Sequence, residues 1–189
     1  RDLHGILHSF PTRRSSDLTF DPTGGKDALV AALDRVQAEA ERAIDEGYQI
    51  AVLSDRASGP TRAPIPALLA VGAAHQHLVR QSRRTQIGLV LESGEPREVH
   101  HFCSLVGYGC DAVNPYLAFE TLWRLGEDGE YSRQFSRAEI EEHYIKAVSK
   151  GMRKVLGKMG ISTLESYKAA QVFEAVGLAD EVIDRCFTG

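Results

Sequence analysis

Three short apolar runs, each closed by a break, constrain this chain most. They occupy residues 49–53, 86–91 and 110–113, and the first two are nearly continuous in Ile, Ala, Val and Leu. Runs of that length without polar alternation suit strands covered on both faces. The stretches between them have a helical period. Leu29, Leu33, Val36, Ala40, Ala43 and Ile44 recur at three- and four-residue steps, one face of an amphipathic helix. Gly47 follows as a stop, because glycine takes the left-handed conformation cheaply. Residues 67–84 carry Leu68, Leu69, Val71, Leu78 and Val79, with arginines near the negative pole of the helix. Residues 97–106 read as a shorter helix stopped by Gly107-Tyr108-Gly109. Residues 115–125 open on Pro115, which suits a first helical turn. Helix and strand thus alternate. The expectation is an α/β fold, a parallel sheet with helices on both faces and right-handed crossovers.

Beyond this unit the pattern changes. Gly126-Glu127-Asp128-Gly129-Glu130 is polar and marks a surface loop or domain boundary. Ser136 with Glu139 three residues on matches a capping box and opens a long helix toward Leu156. A short strand is expected near Lys158–Ser162, then a helix over residues 164–176 stopped by Gly177, and a last short helix over 180–186.

The first eighteen residues read differently. Residues 1–18 show no apolar period, and Arg13, Arg14, Ser15, Ser16 and Asp17 form a polar knot. Phe10 to Leu18 also matches the translation of a widely used sequencing-library adapter. Residues 1–18 are therefore expected to be a foreign, adapter-like segment, the alternative being a natural disordered arm.

Composition narrows the function classes. A net charge of −4 and a pI near 6.0 give no basic surface for nucleic acid. No apolar run reaches the ~18 residues of a membrane span. Cys103, Cys110 and Cys186 are odd in number and irregularly spaced, which fits reduced thiols in a cytoplasmic protein rather than a disulfide framework or a metal cluster.

Three ordered stretches carry a resemblance. The first is Leu53-Ser54-Asp55-Arg56. The second runs from Leu91-Glu92-Ser93-Gly94-Glu95-Pro96 through His100-His101-Phe102 to Gly107-Tyr108-Gly109-Cys110-Asp111-Ala112-Val113-Asn114-Pro115-Tyr116-Leu117-Ala118. The third is Lys158-Met159-Gly160-Ile161-Ser162-Thr163 with Ser166-Tyr167-Lys168-Ala169-Ala170-Gln171-Val172-Phe173-Glu174-Ala175-Val176-Gly177-Leu178. Together they resemble the large subunit of glutamate synthase, over residues 19–189.

The resemblance implies a two-part organisation. Residues 19–130 would be the rear of the family's central domain. Residues 136–189 would begin its FMN-binding β/α barrel, truncated after a helical linker and one strand–helix unit. The parent would be an oxidoreductase acting on CH–NH2 donors. It would form L-glutamate from 2-oxoglutarate and glutamine-derived ammonia, using FMN and a [3Fe-4S] cluster. Its partners would be the other domains of the parent chain and either a small electron-donating subunit or ferredoxin, with no nucleic acid and no membrane. The amidotransferase nucleophile, most barrel strands and the cluster cysteines would lie outside this chain, so the piece alone is expected to be inactive, with no catalytic or metal-binding residue of its own. One departure stands out. Ala169 occupies a position where the family pattern has glycine, which a helix would tolerate.

Within the resemblance, Met159, Gly160, Ile161 and Ser162 are the expected flavin-facing residues. Barrel sites lie at the C-terminal ends of strands, and a glycine lets backbone approach a planar ring. The plainer reading is that Ser162 or Thr163 only caps the next helix. Lys158 reads as a surface cation and Gln171 as a satisfied helical polar residue. His75 with His77, and His100 with His101, diverge on a helix and suit packing better than metal ligation. Asp55 and Glu92 end adjacent strands, where α/β sheets often bind ligands. Without a nucleophile or phosphate loop beside them they are expected to form salt bridges, with Arg56 or Arg97. The competing hypothesis is a non-catalytic α/β interaction or scaffold module.

Overall fold

A computed structural model describes residues 12–131 and 134–187. The chain enters through β1 (Arg13–Asp17), β2 (Thr19–Phe20) and α1 (Gly25–Asp45). It continues as β3 (Ile50–Ser54), β4 (Ala63–Pro64), α2 (Ala67–Arg80), β5 (Gly88–Glu92), α3 (Val99–Gly107), β6 (Ala112–Asn114) and α4 (Tyr116–Glu127). The long α5 (Arg137–Lys158) and the short α6 (Leu164–Tyr167) follow. The described chain closes with α7 (Asp180–Val182) and one π-helical turn, Ile183–Phe187. The main sheet has strand order β1-β3-β5-β6, all parallel, and β2 pairs antiparallel with β4. The α/β class with a parallel sheet flanked by helices is as expected.

The two faces of this sheet are covered unequally. Ala51, Leu53, Leu89 and Leu91 are at most 1% exposed and share one apolar core with Leu33 and Val36 of α1, Val71 and Leu78 of α2, and Leu105 of α3. Side chains alternate across a strand. The other face therefore carries Ile50, Val52, Gly88 and Val90, all half-buried, with Ala112 exposed. None of these belongs to either apolar core cluster.

Residues 12–18 correct the sequence reading. The segment expected to be foreign or disordered supplies the edge strand β1, in register from Arg13 opposite Ile50 to Asp17 opposite Ser54. A strand forms through its backbone, and here Leu18 N–H donates to the Ser54 carbonyl at 2.8 Å while the Thr12 carbonyl accepts from Gln49 N–H at 3.0 Å. Leu18 is fully buried in the core. Residues 1–11 of that expectation lie outside the described residues.

A second correction concerns residues 158–176. No strand forms near Lys158–Ser162 among the described residues. Val155 and Leu156 of α5 pack with Cys103, Val106 and Tyr167, which holds the helix together to Lys158. Gly160 then turns the chain at φ 73°, and Ile161 N–H reaches back to the Leu156 carbonyl at 3.0 Å. That is a glycine helix stop, not the end of a strand. The helix expected over residues 164–176 ends at Tyr167. Ala169 and Gln171 both take positive φ, 57° and 53°.

The capping box at Ser136 is present, with Glu139 N–H donating to Ser136 Oγ at 3.3 Å and Ser136 N–H to Glu139 Oε2 at 2.8 Å. The resulting α5 packs back on α3, where a side chain in place of Gly151 would overlap Val99. Tyr144 OH donates to the Arg97 carbonyl at 3.0 Å. The closing segment crosses α2 at Gly72, where a Cβ would overlap the Cys186 carbonyl. Its side chains hold α1: Arg185 pairs with Asp34 at 2.5 Å and Glu181 with Lys26 at 3.0 Å.

Candidate functional site

The C-terminal ends of the strands gather most of the polar residues singled out from sequence. Asp55, directly after β3, is only 3% exposed. It accepts from Ser93 Oγ at 2.6 Å, Gly94 N–H at 3.1 Å and Tyr116 OH at 2.8 Å. Burial, with the hydrogen bond to Asp55, pushes the Tyr116 hydroxyl up to about 12. Glu92, one strand over, accepts from Ser54 Oγ at 2.6 Å, Arg56 Nε at 2.9 Å and Asn114 Nδ2 at 3.3 Å. Its burial opposes ionisation, but these hydrogen bonds and the Arg56 charge together hold its pKa below the ordinary value. Arg56 also lies over the Tyr116 ring at 4.1 Å and pairs with Glu120 at 3.3 Å.

The expected Arg56–Glu92 bridge is thus formed. Arg97 is elsewhere, at the start of α3 beside His101. Sequence reasoning missed Ser93, Gly94 and Tyr116 as the partners of Asp55. Ser93-Gly94 directly after a strand was the available signal. Both carboxylate oxygens of Asp55 and of Glu92 serve neighbours within the chain, which makes them a frame for the strand ends.

A second polar network closes the opposite end of the sheet, and it went unread. Arg84 donates to His75 Nδ1 at 2.9 Å, to the Ile87 and Gly109 carbonyls at 2.7 Å each, and to Asp111 Oδ2 at 2.6 Å. Lys168 reaches Asp111 Oδ1 at 2.7 Å from the loop after α6. Burial, reinforced by the Arg84 charge, lowers the pKa of His75 to about 4. Burial raises the Asp111 carboxyl, but the bonds from Lys168, Leu89 N–H and Arg84 outweigh it and leave the pKa lowered. Gly109 sits at φ 105° against the His75 ring, where a Cβ would overlap it.

The remaining histidines make local contacts. His77 Nε2 lies 3.2 Å from Glu41, and His101 Nδ1 accepts from Arg97 N–H at 3.0 Å and from Glu98 N–H at 3.4 Å, in a capping box at the start of α3. His100 meets Phe173 edge-on at 5.8 Å. Among the described residues no group of three or more His, Cys, Asp or Glu is placed to hold a metal ion. No helix of the described residues is long and apolar enough to cross a membrane. Burial pushes the Cys110 thiol up to about 12 and also raises Cys103 and Cys186.

The expected flavin-facing residues form a turn at the end of α5. Met159 is 41% exposed, Gly160 and Ser162 are exposed, and Ile161 is half-buried against the α3–α5 core. Nothing lies within 4 Å of a Cβ built on Gly160. The turn therefore leaves its Gly160 backbone open to an approaching group. Thr163 caps α6, as in the plainer reading, with Ser166 N–H donating to its Oγ1 at 3.3 Å. Lys158 is exposed. Gln171 lines a cavity of about 430 Å³ with Tyr108, Phe173 and Phe187, away from the turn.

The class this geometry defines is an α/β domain whose parallel strands stand in chain order, as in an open part of an α/β barrel. Two solved structures agree at the level of fold. L230A mutant flavocytochrome b2 with benzoylformate has a TM-score of 0.57 at 11% identity, covering 98% of this chain and 42% of its own. The A198G:L230A mutant flavocytochrome b2 with pyruvate bound has 0.57 at 12%, covering 100% and 44%. Such neighbours are α/β barrels.

Sequence comparison is more specific. The family model of the glutamate synthase central domain matches residues 5–179. The NADPH glutamate synthase large chain of Bacillus subtilis is 49% identical over 187 residues, covering 99% of this chain and 12% of that one. The NADH glutamate synthase of Saccharomyces cerevisiae is 45% identical over 179 residues, covering 92% and 8%. Ferredoxin-dependent glutamate synthase 1 of Arabidopsis thaliana is 42% identical over 176 residues, covering 88% and 11%. This chain belongs to the glutamate synthase central domain family. It spans about a tenth of the length of these relatives. The central-domain match extends to residue 179.

Proposed function

We propose that this chain is a connecting and positioning domain of a glutamate synthase. The enzyme would form L-glutamate from 2-oxoglutarate and glutamine-derived ammonia by FMN-dependent reductive amination. The observation that carries the reading is the continuous family match over residues 5–179. Two features support a structural rather than catalytic part. The strand-end carboxylates Asp55 and Glu92 are committed to Ser93, Gly94, Tyr116, Ser54, Arg56 and Asn114. The three thiols are buried and weakly acidic, unlike a nucleophile's.

In this proposal FMN and the [3Fe-4S] cluster are held by parts of the parent outside these residues, where the flavin would supply the reducing electrons. Met159, Gly160, Ile161 and Ser162 offer that flavin-bearing part an exposed edge contact. Relatives named for NADH, NADPH and ferredoxin match this chain over similar lengths, so the electron donor is assigned to a partner of the parent. The same reading places the protein in the cytoplasm.

The test compares the purified 189-residue chain with the full-length product of its gene. Only the latter is expected to make glutamate from 2-oxoglutarate and glutamine, and only it should show flavin absorbance. Stoichiometric flavin on the 189-residue chain, or turnover by it, would overturn the proposal.

A further inference from the structure

We propose that residues 168–176 form a two-state segment. In one state they are the loop described above. In the other they continue α6 as a helix that stops at Gly177. The inference does not depend on the glutamate synthase reading.

The sequence of this stretch suits a helix. Leu164 to Val176 contains no glycine or proline, and Lys168, Ala169, Ala170, Gln171, Glu174 and Ala175 are strong helix formers. Ala169, Val172, Phe173 and Val176 recur at the spacing of one helix face. Thr163 already caps the first turn. Gly177 already sits at φ 79°, the left-handed conformation of a helix stop. Both ends of the longer helix are thus in place.

The chain departs from that helix at a few torsions. Lys168 keeps φ −62° but turns to ψ 123°, and Ala169 and Gln171 take φ 57° and 53°. Left-handed φ is strained for both side chains. What holds these torsions lies downstream. Phe173 meets the rings of His100, Tyr108 and Tyr167 at 5.8, 6.3 and 6.4 Å, and Tyr108 OH donates to its carbonyl at 3.1 Å. The Lys168–Asp111 pair does not choose between the states, because rotation about ψ of Lys168 moves the chain after it and leaves its own side chain in place. Around the Phe173 anchor the packing is loose. Val176 is 84% exposed, and the cavity of about 430 Å³ lies among Tyr108, Gln171, Phe173 and Phe187. A strained segment with one firm anchor and a strong local preference for helix is bistable. A helix rises about 1.5 Å per residue, against up to about 3.3 Å for extended chain. Helix formation therefore shortens the path from α6 to the closing segment and pulls on its clasp at Asp34.

Carbon-13 relaxation dispersion and Cα chemical shifts on the 189-residue chain read both states. The native chain is expected to show microsecond-to-millisecond exchange over residues 168–176, toward the shifts of a helix. Phe173→Ala removes the anchor and favours helix, and should raise the helical population at least about tenfold. Tyr108→Phe removes only the hydroxyl bonded to the Phe173 carbonyl and should raise it about fivefold. Ala169→Gly combined with Gln171→Gly relieves the strain and disfavours the helix, and should abolish the exchange. Unchanged shifts in α1 and α3 verify the fold of each variant. A native chain without exchange in this segment overturns the proposal. So does a folded Phe173→Ala or Tyr108→Phe chain in which residues 168–176 keep their native shifts or become random coil. Exchange that persists in the double substitution overturns it as well.

Discussion

The two ends of the main sheet are both tied by ion pairs, yet in opposite ways. At the C-terminal end the charged groups sit at the rim: Arg56 is 48% exposed in its side chain and Glu120 46%. Only Asp55 is deep, and hydroxyl and amide groups satisfy it. At the N-terminal end the Arg84 side chain is 12% exposed and spends its donors on one histidine, two carbonyls and one carboxylate. The first arrangement frames an open mouth. The second is a sealed plug that joins the late loop at Lys168 to the sheet. Similar residue types therefore give a tolerant rim at one end and a brittle closure at the other.

That contrast can be broken most directly at Arg84. Arg84→Ala leaves Asp111, two carbonyls and the His75 ring without their shared donor, and should cost about 4 kcal/mol in urea unfolding. Asp55→Ala strands one amide and two hydroxyls and should cost about 3 kcal/mol by the same measurement. If Asp55→Ala proves the costlier, the rim is the brittle end and the contrast is inverted.

The pH profile sharpens the difference further. His75 is neutral in the fold, with its pKa at about 4 against 6.5 when unfolded. The unfolded chain binds more protons between those values. Stability is therefore full above pH 6.5 and declines as pH falls toward 4, by on the order of 3 kcal/mol. Thermal melts from pH 4 to 7 on the native chain and on His75→Gln should differ in slope over that window. Parallel curves would remove His75 from the plug's energetics.

The smallest expected effect lies beside the plug. Ala169, next to Lys168, is held at φ 57°, where a Cβ is strained. Ala169→Gly should stabilise the chain by about 1 kcal/mol, read as a higher melting temperature. A loss of stability instead would show that the loop depends on the stiffness alanine gives it.

The same contrast governs what could be read from sequence. Strands β3, β5 and β6 and helices α1 to α4 were legible because their apolar periods are local. Asp55, Arg56 and Glu92 stood out because strand-end polar residues interrupt those periods. The plug was not legible. Its members His75, Arg84, Asp111 and Lys168 come from four separate segments, and each alone resembles a surface residue. The turn at Gly160 was misread because a glycine after apolar residues can end a strand or stop a helix. Only the packing of Val155 and Leu156 on Cys103, Val106 and Tyr167 decides between them. Ala169 was judged harmless because a helix was expected there, and the positive φ reverses that judgement. Strand β1 was discounted because its side chains are polar, although an edge strand is specified largely by its backbone.

The clasp of the closing segment on α1 also has a temporal side. Arg185 meets Asp34 across 151 positions, and Glu181 meets Lys26 across 155. A ribosome adding 5–20 residues per second needs roughly ten to thirty seconds to travel that distance. Throughout that interval the first helix exists without its final partner and Gly72 leaves a bare notch on α2. Chaperone demand on this segment should accordingly persist until residue 187 emerges.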